Sequence, residues 1–269
     1  MNILAPAKIN LSLRILGTKS GYHLLNSLVG FLDFSDHLHL SPNTESGIKV
    51  IGANPTLDPE DNIALKALRR LEEHGITPHH ITLWKHIYSG AGLGGGSADA
   101  AAILRALGQG LPRKILDDIA LELGADVPVC LLKKPTRMEG IGEKLSPIAD
   151  FPIKHLLLAA PNATLSTALV FQQKSHIVFS DATTDPMQPE TWHNDLETAA
   201  CSLCPSLKPL LSRLRTLEHI LVAGMSGTGV CCFAALPCVQ TRRQAIATLR
   251  QEFPDVRFRA ATLLGAHNV

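Results

Sequence analysis

Apolar and polar residues alternate along the first part of the chain, with the period of a β-strand. Between residues 3 and 17 the apolar positions are Ile9, Leu11, Leu13 and Ile15. The intervening polar positions are Lys8, Asn10, Ser12 and Arg14. The pattern predicts a strand with one polar face, and it leaves Lys8 open as a solvated residue at a sheet edge or a functional group. Residues 28–40 predict a further pair of strands.

Helical periodicity governs the middle of the chain. An apolar stripe predicts a helix over residues 62–74 with Asp61 as its N-cap, and for Asn62 at the helix entry a capping role is likewise the default. The stripe consists of Ala64, Leu65, Leu68 and Leu71. The alanine-rich segment that follows predicts a helix that begins at the N-cap Ser97 and ends at Gly108. The apolar residues 127–132 predict a strand.

The last part of the chain has the pattern of a separate domain. Residues 144–152 lose a clear period and contain two prolines, so we place a boundary there that divides the chain into residues 1–150 and 151–269. The second domain is predicted to contain, in order, a strand (155–160), helices (164–171, one from 194, and 207–217), strands (220–223 and 230–236), a helix (241–252) and a strand (258–262). This order predicts an α+β fold with a split β-α-β layer rather than a doubly wound sheet.

The composition indicates a globular protein whose net charge is too small to create a strong electrostatic field. The 269 residues are 45% hydrophobic with a net charge of +1, so no overall charge recruits nucleic acid or an anionic membrane. Only 4% of the residues are aromatic, which argues against stacking platforms for single-stranded nucleic acid. The chain lacks an apolar run of roughly 18 residues and a signal-peptide pattern. We therefore expect a cytoplasmic protein.

The cysteines and histidines do not have the spacing of a metal site. The six cysteines are Cys130, Cys201, Cys204, Cys231, Cys232 and Cys238. One C-x-x-C pair lacks the second pair that a structural zinc site requires, so we expect buried, reduced thiols and no metal held by side chains. The neighbouring His79 and His80 are expected in a loop.

Five glycines within seven residues form the most distinctive stretch of the sequence: Gly90, Gly92, Gly94, Gly95 and Gly96. Few side chains stand between this backbone and a ligand. A strand-like run from Ile81 precedes the cluster and the alanine-rich helix follows it, so the exposed N–H groups and the positive end of the helix dipole point into the loop. We interpret the loop as a phosphate-binding turn, and a plain glycine hinge is the alternative.

Familiar phosphate loops fit this stretch incompletely. A P-loop requires lysine where the chain has Gly96. The dinucleotide motif G-x-G-x-x-G is matched, but the second strand and ribose-binding acid that it requires are replaced by a helix between Pro112 and Gly124. That helix makes Asp117 and Asp118 surface carboxylates. The motifs of protein kinases are absent from the sequence.

Several isolated residues are candidates for a site. Asp126 lies at an element junction between Ala125 and Val127, which suits either a turn residue or a site carboxylate. Tyr22 and His23 follow a turn and form either a recognition pair or part of the packing beneath that turn. Two later segments are loops, a glycine-rich one at residues 224–229 and a polar one at residues 180–189 that could order over a ligand.

Taken together, these segments resemble the GHMP family of small-molecule kinases. The resemblance rests on Lys8-Ile-Asn10, Gly21-Tyr-His23, residues 90–97, residues 124–129 (GADVPV), residues 139–143 (EGIGE) and residues 224–229. It implies a two-domain GHMP kinase architecture, with an N-terminal domain like domain 2 of ribosomal protein S5 and a ferredoxin-like C-terminal domain. The residues of these motifs are most similar to those of one branch of the family. The resemblance implies that the protein uses ATP, with Mg²⁺ carried on it, to phosphorylate a methylerythritol linked to cytidine diphosphate.

The resemblance also implies roles for individual residues. Lys8 and Asp126 match the family's catalytic pair, with Asp126 as the general base. The ATP-binding positions are Asn62, Tyr88, Ser89, Gly90, Ala91, Gly92, Leu93, Gly94, Gly95, Gly96, Ser97 and Ala98. The substrate-binding positions are Asn10, Tyr22, His23, Thr167 and Phe171. The loop that closes on the site contains Gly224, Ser226, Gly227, Thr228 and Gly229.

Two positions depart from the family pattern. Tyr88 replaces a usual proline at the start of the ATP loop, and Val29 replaces an aromatic residue that often helps to hold the cytosine. The base is then expected to rest on Tyr22 and Phe171 alone.

Other functions compete with this interpretation. They are a GHMP kinase of the homoserine or mevalonate type, an NAD-dependent oxidoreductase and a nucleotide-binding protein without catalysis. We expect small-molecule partners only, with no nucleic acid or membrane, and a monomer or weak homodimer.

Overall fold

The computed structural model describes residues 1–19, 21–52, 58–173, 179–180 and 185–266. The predicted turn at residues 17–21 and the polar loop at residues 180–189 fall partly outside this description, at Ser20 and residues 181–184. The chain forms two compact units that alternate along the sequence. The first contains Met1–Lys8, Phe34–Ser89 and Gly94–Lys133, and the second contains Ile9–Asp33, Gly90–Leu93 and Lys134–Val269.

Two long strands run through both units, β1 (Asn2–Lys19) and β2 (Tyr22–Pro42). In the first unit, β2 pairs antiparallel with β4 (His79–Trp84), which pairs parallel with β3 (Gly47–Ile51). The prediction of two strands over residues 28–40 is wrong, because the backbone stays extended without a turn. The expectation that His79 and His80 lie in a loop is also wrong. Both residues belong to β4, and they pair with residues of β2.

The helices of the first unit are α1 (Ile63–Glu72), α2 (Gly95–Leu107), α3 (Arg113–Leu123) and α4 (Val127–Leu132). The predicted stripe of α1 is confirmed, since Ala64, Leu65, Leu68 and Leu71 are buried. The prediction of a strand over residues 127–132 is wrong. This short apolar run has no decisive period, and Pro128 in its first turn suits a helix start, where an N–H group is not needed.

Two predicted helix caps are also wrong. Asn62, not Asp61, caps α1, because its side chain accepts a hydrogen bond from the Ala64 amide at 2.9 Å. Asp61 instead ends a short 3-10 helix, Pro59–Asp61. Gly94, not Ser97, occupies the N-cap position of α2, and its left-handed backbone (φ 64°) lets the helix begin before the serine.

The second unit contains the remaining strands and helices. The first half of β2 pairs antiparallel with β5 (Thr136–Gly140), and β5 pairs with β6 (Lys144–Pro147). Four further strands are β7 (His155–Pro161), β8 (Val222–Met225), β9 (Cys232–Leu236) and β10 (Val256–Thr262). They form an antiparallel sheet with the order β10-β7-β9-β8. The helices are α5 (Thr167–Gln172), α6 (Glu197–Leu203), α7 (Leu207–Arg215) and α8 (Val239–Glu252). The predicted order of elements is confirmed.

Over residues 5–13, β1 is buried on both faces, contrary to the expectation of a solvated polar side. The apolar residues of this stretch are buried, and Lys8, Asn10 and Ser12 are only 2%, 1% and 1% exposed. The interpretation of Lys8 as a solvated edge residue is therefore wrong, and a buried ammonium group requires a charged or polar partner.

The cysteines are all free, and Cys130, Cys204, Cys231 and Cys232 are buried as predicted. Two cysteines depart from the prediction, because Cys201 is only partly buried and Cys238 is exposed at the start of α8. In the part of the chain that the structure describes, no helix combines the length and apolar character required to cross a bilayer.

Candidate active site

Lys8 and Asp126 form an ion pair in the first unit. The Lys8 Nζ atom lies 3.0 Å from Asp126 Oδ2, and the two side chains are 2% and 34% exposed. Asp126 is the residue before α4, so the helix start fixes its backbone. The carboxylate is thus held by a buried cation and stays accessible to a ligand.

The backbone of the glycine loop passes directly over the Lys8 side chain at Gly94. A β-carbon on Gly94 would lie 2.6 Å from Lys8 Cγ and 2.7 Å from Lys8 Cε. The first hydrogen bond within α2 runs from the Ala98 amide to the Gly94 carbonyl at 2.8 Å. The amides of residues 95–97 therefore lack partners within the helix, and such N–H groups at a helix start suit an anion.

A second buried charged cluster lies beside this helix start, and the sequence patterns do not identify it. Lys85 Nζ forms ion pairs with Asp36 and with Asp99, the latter at 2.7 Å. Their side chains are at most 10% exposed. One sequence signal could have found this cluster: Asp36 on β2, Lys85 after β4 and Asp99 in α2 are charged residues within otherwise apolar stretches.

Burial raises the pKa of the Asp99 carboxyl to about 8, although the charge of Lys85 acts in the opposite direction. Two carboxylates and one ammonium group would leave a net negative charge in the interior, and a proton on Asp99 removes it. Asp99 Oδ1 is buried without a hydrogen-bond partner, which agrees with a carboxyl that is not fully charged.

Asp99→Asn is expected to flatten the pH dependence of stability. In an unfolded chain an aspartate titrates with a pKa of about 4, whereas folded Asp99, with a pKa of about 8, keeps its proton to much higher pH. The group therefore favours the folded state most at low pH, and this contribution falls as pH rises between those two values. The unfolding free energy can be measured by urea unfolding at a pH of about 6 and at a pH of about 9. Its decrease from the lower to the higher pH should be smaller in the variant than in the wild type. An equal loss in both proteins would contradict the protonated state of Asp99.

The remaining part of the glycine loop, Gly90–Leu93, belongs to the second unit. Ser226 Oγ donates to the Gly92 carbonyl at 2.8 Å and accepts from the Asn10 amide at 3.0 Å. The Cys231 amide donates to the Ala91 carbonyl at 3.1 Å. The Ser226 side chain thus joins the two glycine-rich loops, and Cys231, which follows the second loop, adds a backbone hydrogen bond to the first.

The second glycine-rich loop is shorter than predicted, because Gly224 and Met225 still belong to β8. A residue that the sequence patterns do not identify holds the loop in place: Asn194 Nδ2 donates to the carbonyls of Met225 and Gly227, both at 2.8 Å. Asn194 is only 4% exposed. An asparagine in a polar segment gives no signal of this contact.

The predicted substrate residues of the second unit come together in part. The rings of His23 and Phe171 lie 4.9 Å apart, and Thr167 Oγ1 lies 3.1 Å from Thr228 Oγ1. Tyr22 is 63% exposed. Val29 is fully buried in β2, so its side chain is not presented to a ligand.

The arrangement is suited to polar group transfer at an anionic ligand. It provides a carboxylate with a buried cation in the first unit, and helix-start amides beside the same lysine. Such groups act by position and charge, which is the main protein contribution to phosphoryl transfer.

Comparisons with known proteins agree with this chemistry. Residues 62–134 match the family model of the GHMP kinases N terminal domain. The 4-diphosphocytidyl-2-C-methyl-D-erythritol kinase of Ruegeria pomeroyi is 42% identical over 254 residues, with 87% of this chain and 88% of the relative covered. The enzyme of the same name from Parvibaculum lavamentivorans is 40% identical over 271 residues, with 93% of each chain covered.

Solved structures show the same similarity. A crystal structure of 4-(cytidine 5'-diphospho)-2C-methyl-D-erythritol kinase has a TM-score of 0.78 at 33% identity and covers 98% of this chain and 100% of its own. A homoserine kinase from Cytophaga hutchinsonii, at 18% identity and a TM-score of 0.75 over 99% and 95% of the two chains, shares the fold. The chain belongs to the 4-diphosphocytidyl-2-C-methyl-D-erythritol kinase family, within the GHMP kinases.

Proposed function

We propose that this protein transfers the γ-phosphoryl group of ATP to the 2-hydroxyl of 4-diphosphocytidyl-2-C-methyl-D-erythritol, giving the 2-phosphate and ADP. This reaction belongs to the non-mevalonate route to isoprenoid precursors. Membership of the kinase family supports the substrate. The ion pair between Lys8 and Asp126, at 3.0 Å, is the observation that carries the proposal of catalysis.

Asp126 acts as the general base in this proposal. It accepts the proton of the substrate's tertiary hydroxyl as the hydroxyl oxygen bonds to the γ-phosphorus and the bond to ADP breaks. Lys8 holds Asp126 in place through their ion pair and offsets negative charge on the transferred group. The partial exposure of Asp126 above a buried Lys8 is consistent with this division of roles.

Residues 88–98 bind the phosphates of ATP through main-chain amides, and Asn62 lies near the adenine. The amides at the start of α2 fit phosphate oxygens, because they have no partner within the helix. Mg²⁺ carried on ATP would neutralise phosphate charge. Among the residues that the structure describes, no group of three or more His, Cys, Asp or Glu could hold a metal.

The cytidine diphosphate portion is held by residues of the second unit, with the base against Phe171. The substrate-binding residues in this proposal are Asn10, Tyr22, His23, Thr167 and Phe171. The contact between the His23 and Phe171 rings places an aromatic pair among them. The loop Ser226, Gly227, Thr228 and Gly229, with Gly224 before it, closes on the substrate.

We further propose a division at residues 150 and 151 into an N-terminal domain like domain 2 of ribosomal protein S5 and a ferredoxin-like C-terminal domain. The order β10-β7-β9-β8 of an antiparallel sheet with helices between its strands supports the second assignment. We also propose that the protein acts in the cytoplasm as a monomer or weak homodimer.

A substrate panel tests the proposed activity. With ATP and Mg²⁺, ADP release should occur with 4-diphosphocytidyl-2-C-methyl-D-erythritol and not with homoserine or mevalonate. The reason is that family membership extends over almost the whole chain, whereas the homoserine kinase shares only the fold at 18% identity. Turnover of homoserine or mevalonate in preference to the cytidine compound would overturn the proposal. Titration with NADH provides the control for dinucleotide binding and should show none.

A further inference from the structure

We propose that Lys85 is a positioning residue for the ATP-binding loop, because its ammonium group joins the chain before the loop to the helix after it through Asp36 and Asp99. This inference rests on the proposed function, since it assigns Lys85 a role in binding ATP. Lys85 is not among the residues that the motifs of the sequence identify.

The segment before the loop is held by Asp36. Asp36 Oδ1 accepts hydrogen bonds from the His86 amide at 2.5 Å and the Ile87 amide at 2.8 Å, while Oδ2 forms the ion pair with Lys85. Asp36 belongs to β2 and is fully buried. One strand side chain thereby fixes three consecutive residues immediately ahead of Tyr88.

The helix after the loop is held by Asp99. Its Oδ2 atom accepts a hydrogen bond from Lys85 Nζ at 2.7 Å. Gly95, one helical turn before Asp99 and so on the same face of α2, passes close to the same lysine: a β-carbon on Gly95 would lie 3.1 Å from Lys85 Nζ. Gly95, the first residue of α2, therefore packs directly against the Lys85 ammonium group.

These contacts link the two sides of the loop. The chain leaves the first unit after Ser89 and returns to it at Gly94. Within that unit, Lys85 is linked through Asp36 to His86 and Ile87 before the loop, and it contacts α2 after the loop. Amides that bind phosphate contribute most when their positions are fixed before the ligand arrives. Without the Lys85 bridge, the start of α2 can shift relative to the segment before Tyr88. Binding ATP must then also order the loop, and the free energy of this ordering weakens the affinity for ATP.

The test is the double substitution Lys85→Met with Asp36→Asn. Removing the lysine alone would leave a buried carboxylate without its cation, which is strongly destabilising. The introduced asparagine keeps an oxygen for the two amides and leaves no unpaired charge on β2. We expect the affinity for a non-hydrolysable ATP analogue, measured by calorimetry, to fall about tenfold, the equivalent of one lost charged hydrogen bond. The KM for ATP should rise with it, while the KM for the cytidine substrate is unchanged.

The control is Lys114→Met, which removes an exposed pair with Asp118 on α3 and should change neither value. If the double variant melts like the wild type and binds the analogue with unchanged affinity, the inference is overturned. If it does not fold, Asp99→Asn serves instead, because it leaves the pair of Lys85 and Asp36 intact and weakens only the link to α2. Unchanged analogue affinity in Asp99→Asn would then overturn the inference. Wild-type protein that binds the analogue but does not phosphorylate the cytidine substrate would overturn the proposed function alone.

Discussion

Asp126→Asn should lose nearly all turnover while retaining binding of ATP and of the cytidine substrate. Asparagine preserves the size of the side chain but cannot accept a proton from the hydroxyl, and a general base contributes about 100- to 10,000-fold. The substitution also removes the charge that faces Lys8 at 3.0 Å. Single-turnover rates with saturating substrates measure the loss, and calorimetry with each ligand measures the binding.

The matched control for this prediction is Asp118→Asn. Asp118 is an exposed aspartate on α3 whose partner is Lys114, so the same chemical change there should leave the rate unchanged. A normal kcat in Asp126→Asn would remove the general-base role. A variant that has lost binding as well as turnover would indicate that Asp126 acts mainly in holding the site together.

Gly92→Ala should disable the ATP loop almost as severely. A methyl group at this position would overlap the carbonyl oxygen of Ser226 and come within 3.3 Å of the Gly229 amide nitrogen. The backbone of Gly92 has φ of 76°, which alanine adopts only with strain. The loop must move away from Ser226, and a displacement of roughly 1 Å can lower catalysis about 100-fold. We expect a loss of this order in kcat/KM for ATP.

Gly110→Ala provides the comparison for Gly92→Ala, because a β-carbon on Gly110 meets nothing within 4 Å. The Gly110 variant should keep both activity and stability. Full activity in Gly92→Ala would show that the contact between Gly92 and Ser226 does not position the loop for ATP. Thermal unfolding of both variants separates a local loop effect from a global one.

Much of the fold can be predicted because local periodicity and burial agree. The stripe on α1 and the order of strands and helices after residue 155 follow directly from their apolar patterns. α4 cannot be predicted in the same way, since a short apolar run suits a buried helix and a buried strand equally well. The start of α2 differs from its prediction because a glycine in the left-handed conformation can precede a helix without a capping side chain.

The site is less predictable, because its contacts join residues that are distant in sequence. Lys8 and Asp126 are assigned by resemblance, and only the fold brings them within 3.0 Å. Lys85 and Asp36 are separated by 49 positions, and Asn10 and Ser226 by 216. No periodic pattern encodes such pairs. The burial of Lys8 escapes prediction for a related reason: alternation indicates that a strand has two faces, but not that both are covered.

The burial of residues 5–13 of β1 on both sides has a consequence for how accurately Lys8 and Asn10 are placed. Strands that are polar on both faces can slip along their neighbours, whereas a slip by one residue here would exchange Lys8 and Asn10 with Ala7, Ile9 and Leu11. Ionic and amide groups would enter hydrocarbon surroundings, and aliphatic groups would replace them beneath the loop. The packing of the apolar side chains of β1 therefore fixes the register of the strand, and with it the position of Lys8 beside Asp126.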